Sequence, residues 1–158
     1  MGTGKTTVGR QLSRKLKMTF YDSDRVIEER TGADIPLIFE KEGEAGFRKR
    51  EVTVIDELTQ KKNIILATGG GAILDAANRN HLVNRGTVFY LKSNIKTLIQ
   101  RTGKDKNRPL LNADEPAEVI LKRLLEQRGP LYEETADYVI ETANNSIHSV
   151  IQAIIKSL

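Results

Sequence analysis

The first residues with a spacing suited to chemistry are Gly4, Lys5 and Thr6, which match the end of the phosphate-binding pattern G-x-x-x-x-G-K-[ST]. Glycines allow backbone N–H groups to turn inward around phosphate oxygens, and a following helix adds its positive N-terminal end. In such a loop Lys5 would reach the β- and γ-phosphates of ATP, and the Thr6 hydroxyl would bind Mg²⁺. Gly2 and Thr7 flank these residues and are predicted to contact ATP as well.

The pattern is incomplete on its N-terminal side. Its first glycine would lie before Met1, and so would the apolar strand that normally leads into such a loop. We therefore expect either a chain that begins upstream of Met1 or a sheet with a gap at the position of that strand. The same residues could instead form a turn that only caps a helix, so the prediction depends on the rest of the chain.

Strand-like and helix-like stretches alternate along the remaining sequence. The predicted strands are residues 19–21, 64–67, 88–91 and 138–140. The predicted helices are residues 6–16, 25–30, 35–40, 47–60, 76–84, 95–101, 118–127 and 147–158. The alternation predicts one α/β domain over residues 1–158, with a parallel sheet flanked by helices. Residues 102–116 contain glycine, two prolines and many charges, which predicts a mobile loop or lid.

The composition is that of an ordinary globular protein of 158 residues, 39% hydrophobic and 29% charged. No apolar run reaches the ~20 residues of a membrane span, so no membrane partner is expected. Cysteine is absent, which excludes disulfides and thiolate metal sites and fits a cytoplasmic protein. The formal charge of +4 could attract nucleic acid, but lysine and arginine form no block of five or more. We therefore expect small anionic ligands and no nucleic acid.

Five further motifs follow the glycine-lysine-threonine residues in a fixed order. They are FYDSD at 20–24, GEAGFRKRE at 43–51, ATGGG at 67–71, RPLL at 108–111 and RGPLY at 128–132. In this order and at this spacing, the set resembles the shikimate kinases over the whole chain.

The resemblance implies a three-layer P-loop kinase fold in which a central parallel sheet is flanked by helices. It implies transfer of the γ-phosphoryl group of ATP to the 3-hydroxyl of shikimate, on the route to chorismate and the aromatic amino acids. It also implies a monomer, a substrate-binding region at about residues 23–50 and a lid at about 102–116. The first, central strand of that fold would be missing from this chain.

The resemblance also implies roles for two carboxylates that follow the first predicted strand. Asp24 would hold the acceptor hydroxyl and take its proton, while Asp22 would support Mg²⁺ through its bound water. Either role is compatible with a second one, because aspartate and serine are also favoured helix N-caps. For Ser23 or Asp24, capping of the helix at 25–30 remains an equal alternative.

The resemblance further implies that Arg48 and Arg128 recognise the substrate, and each could bind a carboxylate through two parallel hydrogen bonds. Glu51 lies three residues after Arg48 and could hold its guanidinium in place. The resemblance also implies that the turn formed by Gly69, Gly70 and Gly71 brings backbone N–H groups close to the substrate, with Gly70 the expected contact; the absence of a Cβ permits this approach. Phe39 and Phe47 are either apolar walls for the substrate ring or part of the core.

Three residues complete the predicted ATP site. The resemblance implies that Arg108, in the lid, closes over the γ-phosphate and neutralises charge during transfer. It implies that Arg101 stacks on adenine and that the turn containing Asn144 closes around the adenine edge. Gluconate-type and nucleotide-type kinases are alternatives within the same class, but two arginines suited to a carboxylate argue against them. Outside the class of kinases, the alternative is a basic module that binds nucleic acid.

Overall fold

The computed structural model describes residues 2–102 and 114–158. The strands are β1 (Thr19–Asp22), β2 (Ile64–Ala67), β3 (Phe89–Lys92) and β4 (Tyr138–Glu141). The helices are α1 (Lys5–Leu16), α2 (Ser23–Thr31), α3 (Ile35–Thr59), α4 (Ala76–Arg85), α5 (Ile95–Thr102), α6 (Ala117–Thr135) and α7 (Ile147–Ser157). A short 3-10 helix covers Ala72–Leu74. Every predicted strand and helix is present, most of them within two residues of the predicted ends.

The four strands form two parallel pairs. β1 pairs with β2, so that Asp22 lies opposite Ala67, and β3 pairs with β4. Within the described ranges, β2 and β3 are not hydrogen-bonded to each other. The α/β fold with parallel strands flanked by helices is confirmed, whereas a strand upstream of Met1 lies outside this chain and stays a prediction.

Apolar side chains form two clusters, one on each side of the β1–β2 pair. In the first, α1 and α7 contribute Val8, Leu12, Val150 and Ile151, and β3 contributes Leu91. In the second, α2 and α3 enclose Ile27, Ile38, Phe47, Val54 and Leu58. Burying these aliphatic and aromatic groups stabilises the helices against the strands by about 1.5–3 kcal/mol for each fully buried side chain. Both clusters therefore fix the ends of β1 and β2, where the candidate site lies.

The region predicted as two helices, 35–40 and 47–60, is a single long helix with a kink. The interruption is confined to Gly43, whose φ of 70° and ψ of 178° are non-helical. Across the kink, the Arg50 guanidinium donates to both carboxylate oxygens of Glu42, at 2.9 and 2.7 Å. The kink needs one residue only, because glycine adopts positive φ without a steric penalty.

The predicted end of α6 at residue 127 is wrong. The helix continues to Thr135, through Gly129 and Pro130. Proline lacks an N–H and normally interrupts a helix, but the backbone bond from Ala136 to Tyr132 completes the last turn. The extension places Arg128 and Tyr132 four residues apart on one helix, where side chains are neighbours.

None of the helices in the described part of the chain has the length and apolar character needed to cross a membrane.

Candidate active site

The predicted phosphate loop leads directly into helix α1. Gly4 is its N-cap, with φ of 88°, and Gly2 has φ of 71°; other residues rarely adopt these values. A Cβ on Gly2 would also lie 2.9 Å from the Thr102 side chain. Lys5 and Thr6 occupy the first turn of α1, where backbone N–H groups and the helix dipole favour anions. Thr7 is exposed in the same turn.

Thr6 and Asp22 lie side by side, as a shared metal site requires. The Thr6 hydroxyl donates to Asp22 Oδ2 at 2.8 Å. The other carboxylate oxygen, Oδ1, accepts from the Asp24 N–H at 3.1 Å, so Asp22 is the N-cap of α2. The capping role that the sequence left open for Ser23 or Asp24 therefore belongs to Asp22. A hydroxyl and a carboxylate are the oxygen ligands that Mg²⁺ prefers, so the pair fits this ion.

Asp24 has the properties of a general base. Burial raises its pKa from 3.8 to about 6, and the negative charges of Asp22 and Glu51 add to the effect, while Lys5 and Arg48 oppose it. Its Oδ1 atom is buried and has no hydrogen-bond partner among the described residues. A carboxylate with a pKa nearer neutrality is a better proton acceptor at physiological pH.

The glycine turn after β2 lies against these acidic groups. A Cβ on Gly69 would lie 2.7 Å from Asp24 Oδ1 and 2.8 Å from Glu51 Oε1, and a Cβ on Gly71 would overlap the Arg48 guanidinium. The Gly69 N–H donates to Ser23 Oγ at 3.1 Å. The turn is therefore closely packed against the protein's own side chains, while its approach to the substrate stays a prediction.

Arg48 is held by two glutamates. Its Nη1 donates to Glu51 Oε2 at 2.7 Å, which confirms the predicted pair, and its Nη2 donates to Glu44 Oε1 at 3.1 Å. Glu51 is fully buried, and burial raises its pKa although Arg48 and Arg128 oppose the shift. Arg128 is only 3% exposed and its Nε has no partner among the described residues. Both predicted clamp arginines thus lie beside one buried carboxylate.

The two phenylalanines support the arginine side of the site. Phe47 is buried in the α2–α3 core and its ring lies 5.0 Å from that of Phe39. The Arg48 guanidinium lies 5.2 Å from the Phe47 ring centroid, a cation–π distance. Phe47 is therefore part of the core, which was one of the two alternatives for this residue.

One cleft joins the phosphate loop to the glycine turn. Its polar lining includes Lys5, Thr68, Arg128 and Tyr132, and its apolar lining comes mainly from β3 and α6. A nucleotide phosphate at Lys5 and an acceptor at Arg128 would therefore share one space.

The remaining predicted ATP residues are only partly located. Arg101 lies exposed at the end of α5 and donates to the Gly2 carbonyl at 3.4 Å, which places it beside the phosphate loop. Asn144 is exposed in the turn between β4 and α7, and its contact with adenine stays a prediction. Arg108 and most of the predicted lid lie outside the described residues.

Sequence reasoning missed two contacts of the glycine turn, those of Ser23 and Tyr132. Tyr132 donates to the Gly70 carbonyl at 2.5 Å. Tyr132 belongs to the RGPLY motif, but a helix predicted to end at residue 127 does not place Arg128 and Tyr132 on one helical face.

Comparison with known proteins agrees over the full length of the chain. The family model described as shikimate kinase matches residues 1–158. The chain is 54% identical, over all 158 residues and 91% of the relative's length, to a shikimate kinase of Vibrio parahaemolyticus. It is 56% identical, over all 158 residues and 85% of the relative, to one of Burkholderia lata.

Solved structures give the same result. The chain superposes on the shikimate kinase of Acinetobacter baumannii in complex with shikimate with a TM-score of 0.96, at 52% identity, covering 99% of this chain and 87% of that one. For the shikimate kinase of Bacteroides thetaiotaomicron the TM-score is 0.89 at 32% identity, covering 99% and 93%.

Proposed function

The chain belongs to the shikimate kinase family, and we propose that the site described above transfers the γ-phosphoryl group of ATP to the 3-hydroxyl of shikimate. As a member of this family the protein is an ATP-dependent, Mg²⁺-using kinase of aromatic amino acid biosynthesis. The observation that carries the proposal is the convergence of Asp24, Glu51 and Arg48 on the glycine turn. Lys5, which follows the phosphate loop, lines a cleft that also reaches this turn.

The acceptor hydroxyl would lie between Asp24 and the γ-phosphate. Its oxygen forms a bond to the γ-phosphorus, the bond from that phosphorus to the bridging oxygen of ADP breaks, and the hydroxyl proton passes to the Asp24 carboxylate. Lys5 stabilises the charge on the β- and γ-phosphates, and Arg108 is proposed to do so from the lid. Thr6 and Asp22 would hold Mg²⁺, which neutralises phosphate charge when bound.

The carboxylate of shikimate would bind Arg48 and Arg128. Arg48 can exchange one of its present partners for the substrate without leaving a buried charge unpaired. Glu44 is half exposed and its hydrogen bonds to Arg48 are long, at 3.1 and 3.4 Å, whereas Glu51 is buried and holds Arg48 at 2.7 Å. We therefore expect substrate to replace Glu44 and Glu51 to stay in place.

We infer further that a single chain suffices for catalysis and that residues 1–158 act as one domain, with a substrate-binding region near 23–50 and a lid near 102–116. A monomer is proposed because the resemblance to the family favours one. A cytoplasmic location is proposed because ATP and Mg²⁺ are supplied there, and the cysteine-free composition is compatible with it. No nucleic acid or membrane partner is proposed.

The acceptor can be tested with purified protein by coupling ADP release to a spectroscopic signal. Shikimate, gluconate and nucleoside monophosphates would each be offered with ATP and Mg²⁺. We expect turnover with shikimate alone. The two arginines suit a carboxylate better than a phosphate-bearing base, which separates shikimate from the nucleotides, and membership of the shikimate kinase family separates it from gluconate. Turnover with gluconate or a nucleotide but not with shikimate would contradict the proposal.

A further inference from the structure

Tyr132 connects three parts of the site, and none of the roles proposed above uses it. Its hydroxyl donates to the carbonyl of Gly70, 62 residues earlier in the chain, at 2.5 Å. Its ring stacks on that of Tyr90 in β3, with centroids 4.9 Å apart and 29° between the planes. Arg128 precedes it by one helical turn. The phenol thus joins α6 and β3 to the glycine turn.

The hydroxyl remains a hydrogen-bond donor throughout the physiological pH range. Burial raises the pKa of Tyr132, and the nearby Arg128 only partly opposes this. A neutral phenol keeps its O–H, and a short bond to a carbonyl in a region of low dielectric is stronger than the same bond in water.

The bond restrains a segment that otherwise has great conformational freedom. Three consecutive glycines lose more backbone entropy on ordering than any other tripeptide of the chain would. The Gly70 carbonyl belongs to the peptide plane that joins Gly70 to Gly71, so fixing its oxygen also fixes the direction of the Gly71 N–H. A Cβ on either flanking glycine would overlap Arg48 or crowd Asp24, so a shift of the turn would disturb both contacts.

We propose that Tyr132 is a positioning residue that holds the glycine turn in the conformation that accepts shikimate, and that its hydroxyl sets shikimate affinity without contributing to ATP affinity. This inference rests on the proposed function of the site. Because the turn is already ordered before the substrate binds, the binding free energy does not have to offset the entropy cost of ordering the glycine backbone. The ATP loop at the start of α1 is held separately, by Gly2 and α5.

The test is Tyr132→Phe, which removes one oxygen and keeps the ring and its stacking on Tyr90. We expect KM and the calorimetric Kd for shikimate to rise about tenfold, as for loss of one buried hydrogen bond, with the KM for ATP within about twofold of wild type. Amide hydrogen exchange at residues 69–71 should become faster in the ligand-free variant. Tyr138→Phe is the matched control, because Tyr138 is 40% exposed and lies on β4.

Shikimate affinity within twofold of wild type, or equal losses of shikimate and ATP affinity, would overturn the positioning role. Unchanged exchange at residues 69–71 would overturn it too, and this readout needs no substrate. A wild-type protein that binds no shikimate would instead contradict the proposed function, so the two failures are distinguishable.

Discussion

Asp24→Asn is expected to lower kcat for shikimate by about 10²- to 10⁴-fold, the usual contribution of a positioned general base. The amide keeps the size of the side chain and can still orient a hydroxyl, but it cannot accept the proton. Steady-state kinetics with saturating ATP would measure the loss. In the wild type, kcat/KM should fall as the pH is lowered through about 6, because protonated Asp24 is inactive. The residual kcat/KM of the variant should not fall in this pH range.

The same substitution should increase stability at neutral pH. A carboxyl group whose folded-state pKa is raised binds more protons in the folded than in the unfolded state between pH 3.8 and about 6. The wild type therefore loses stability as the pH rises through this window, and asparagine removes that loss. A shift of one pKa unit corresponds to about 1.4 kcal/mol, so above pH 6 the free energy of unfolding of the variant should exceed that of the wild type by at most about 3 kcal/mol. Urea unfolding at pH 4 and pH 7 should show nearly all of the stability gain at pH 7 and only a small part of it at pH 4.

Glu126→Gln is the matched control for this acid-to-amide change. Glu126 is exposed on α6, so its replacement should leave kcat and stability nearly unchanged. If Asp24→Asn keeps near-normal kcat, Asp24 is not the base. If the Asp24→Asn variant is less stable than the wild type at pH 7, burial is not the main cause that sets the pKa of Asp24.

Arg48→Ala is expected to abolish measurable shikimate binding and to destabilise the fold, while ATP binding stays nearly intact. The substitution removes half of the proposed carboxylate clamp and leaves the fully buried Glu51 without its 2.7 Å partner. Breaking a buried ion pair from one side typically costs about 3–5 kcal/mol. Calorimetric titration with shikimate and with ATP analogues, combined with thermal unfolding, would separate these effects.

A double variant distinguishes recognition from stability. In Arg48→Met with Glu51→Gln, the buried charge is removed together with its partner, so much of the stability should return while shikimate affinity does not. Arg50→Ala is the control on the same helix. Among the residues that the structure describes, Arg50 forms an ion pair with the exposed Glu42 alone, so its loss should leave both affinities unchanged. Recovery of shikimate binding in the double variant, or equal loss of ATP and shikimate binding in Arg48→Ala, would refute the clamp.

Much of the site was predictable because its residues follow strand ends. Asp22 and Gly69 come just after two apolar runs, and parallel strands bring such positions to one edge of a sheet. The pairing of Arg48 with Glu51 followed from their spacing on one helix. Local periodicity and motif spacing contain this information, so most strands and helices, although not the end of α6, were predicted to within two residues.

The features that were missed depend on tertiary contacts. Glycine followed by proline at 129–130 normally ends a helix, but α6 continues, and its far turn places the Tyr132 hydroxyl on the Gly70 carbonyl. The raised pKa of Asp24 likewise arises from burial and from charges on α3 and β1 that no local pattern reveals. A contact between residues 62 positions apart leaves no signal in the local pattern of apolar residues.

Transfer of the phosphoryl group to one particular hydroxyl of shikimate can be established by analysis of the product. The wild-type protein would be incubated with ATP, Mg²⁺ and shikimate, and the product examined by phosphorus–proton correlation NMR. We expect one phosphorylated product, with the phosphorus coupled to the proton on carbon 3, in amounts equal to the ADP released. Phosphate on another hydroxyl, or release of ADP and inorganic phosphate without a phosphorylated acceptor, would contradict it.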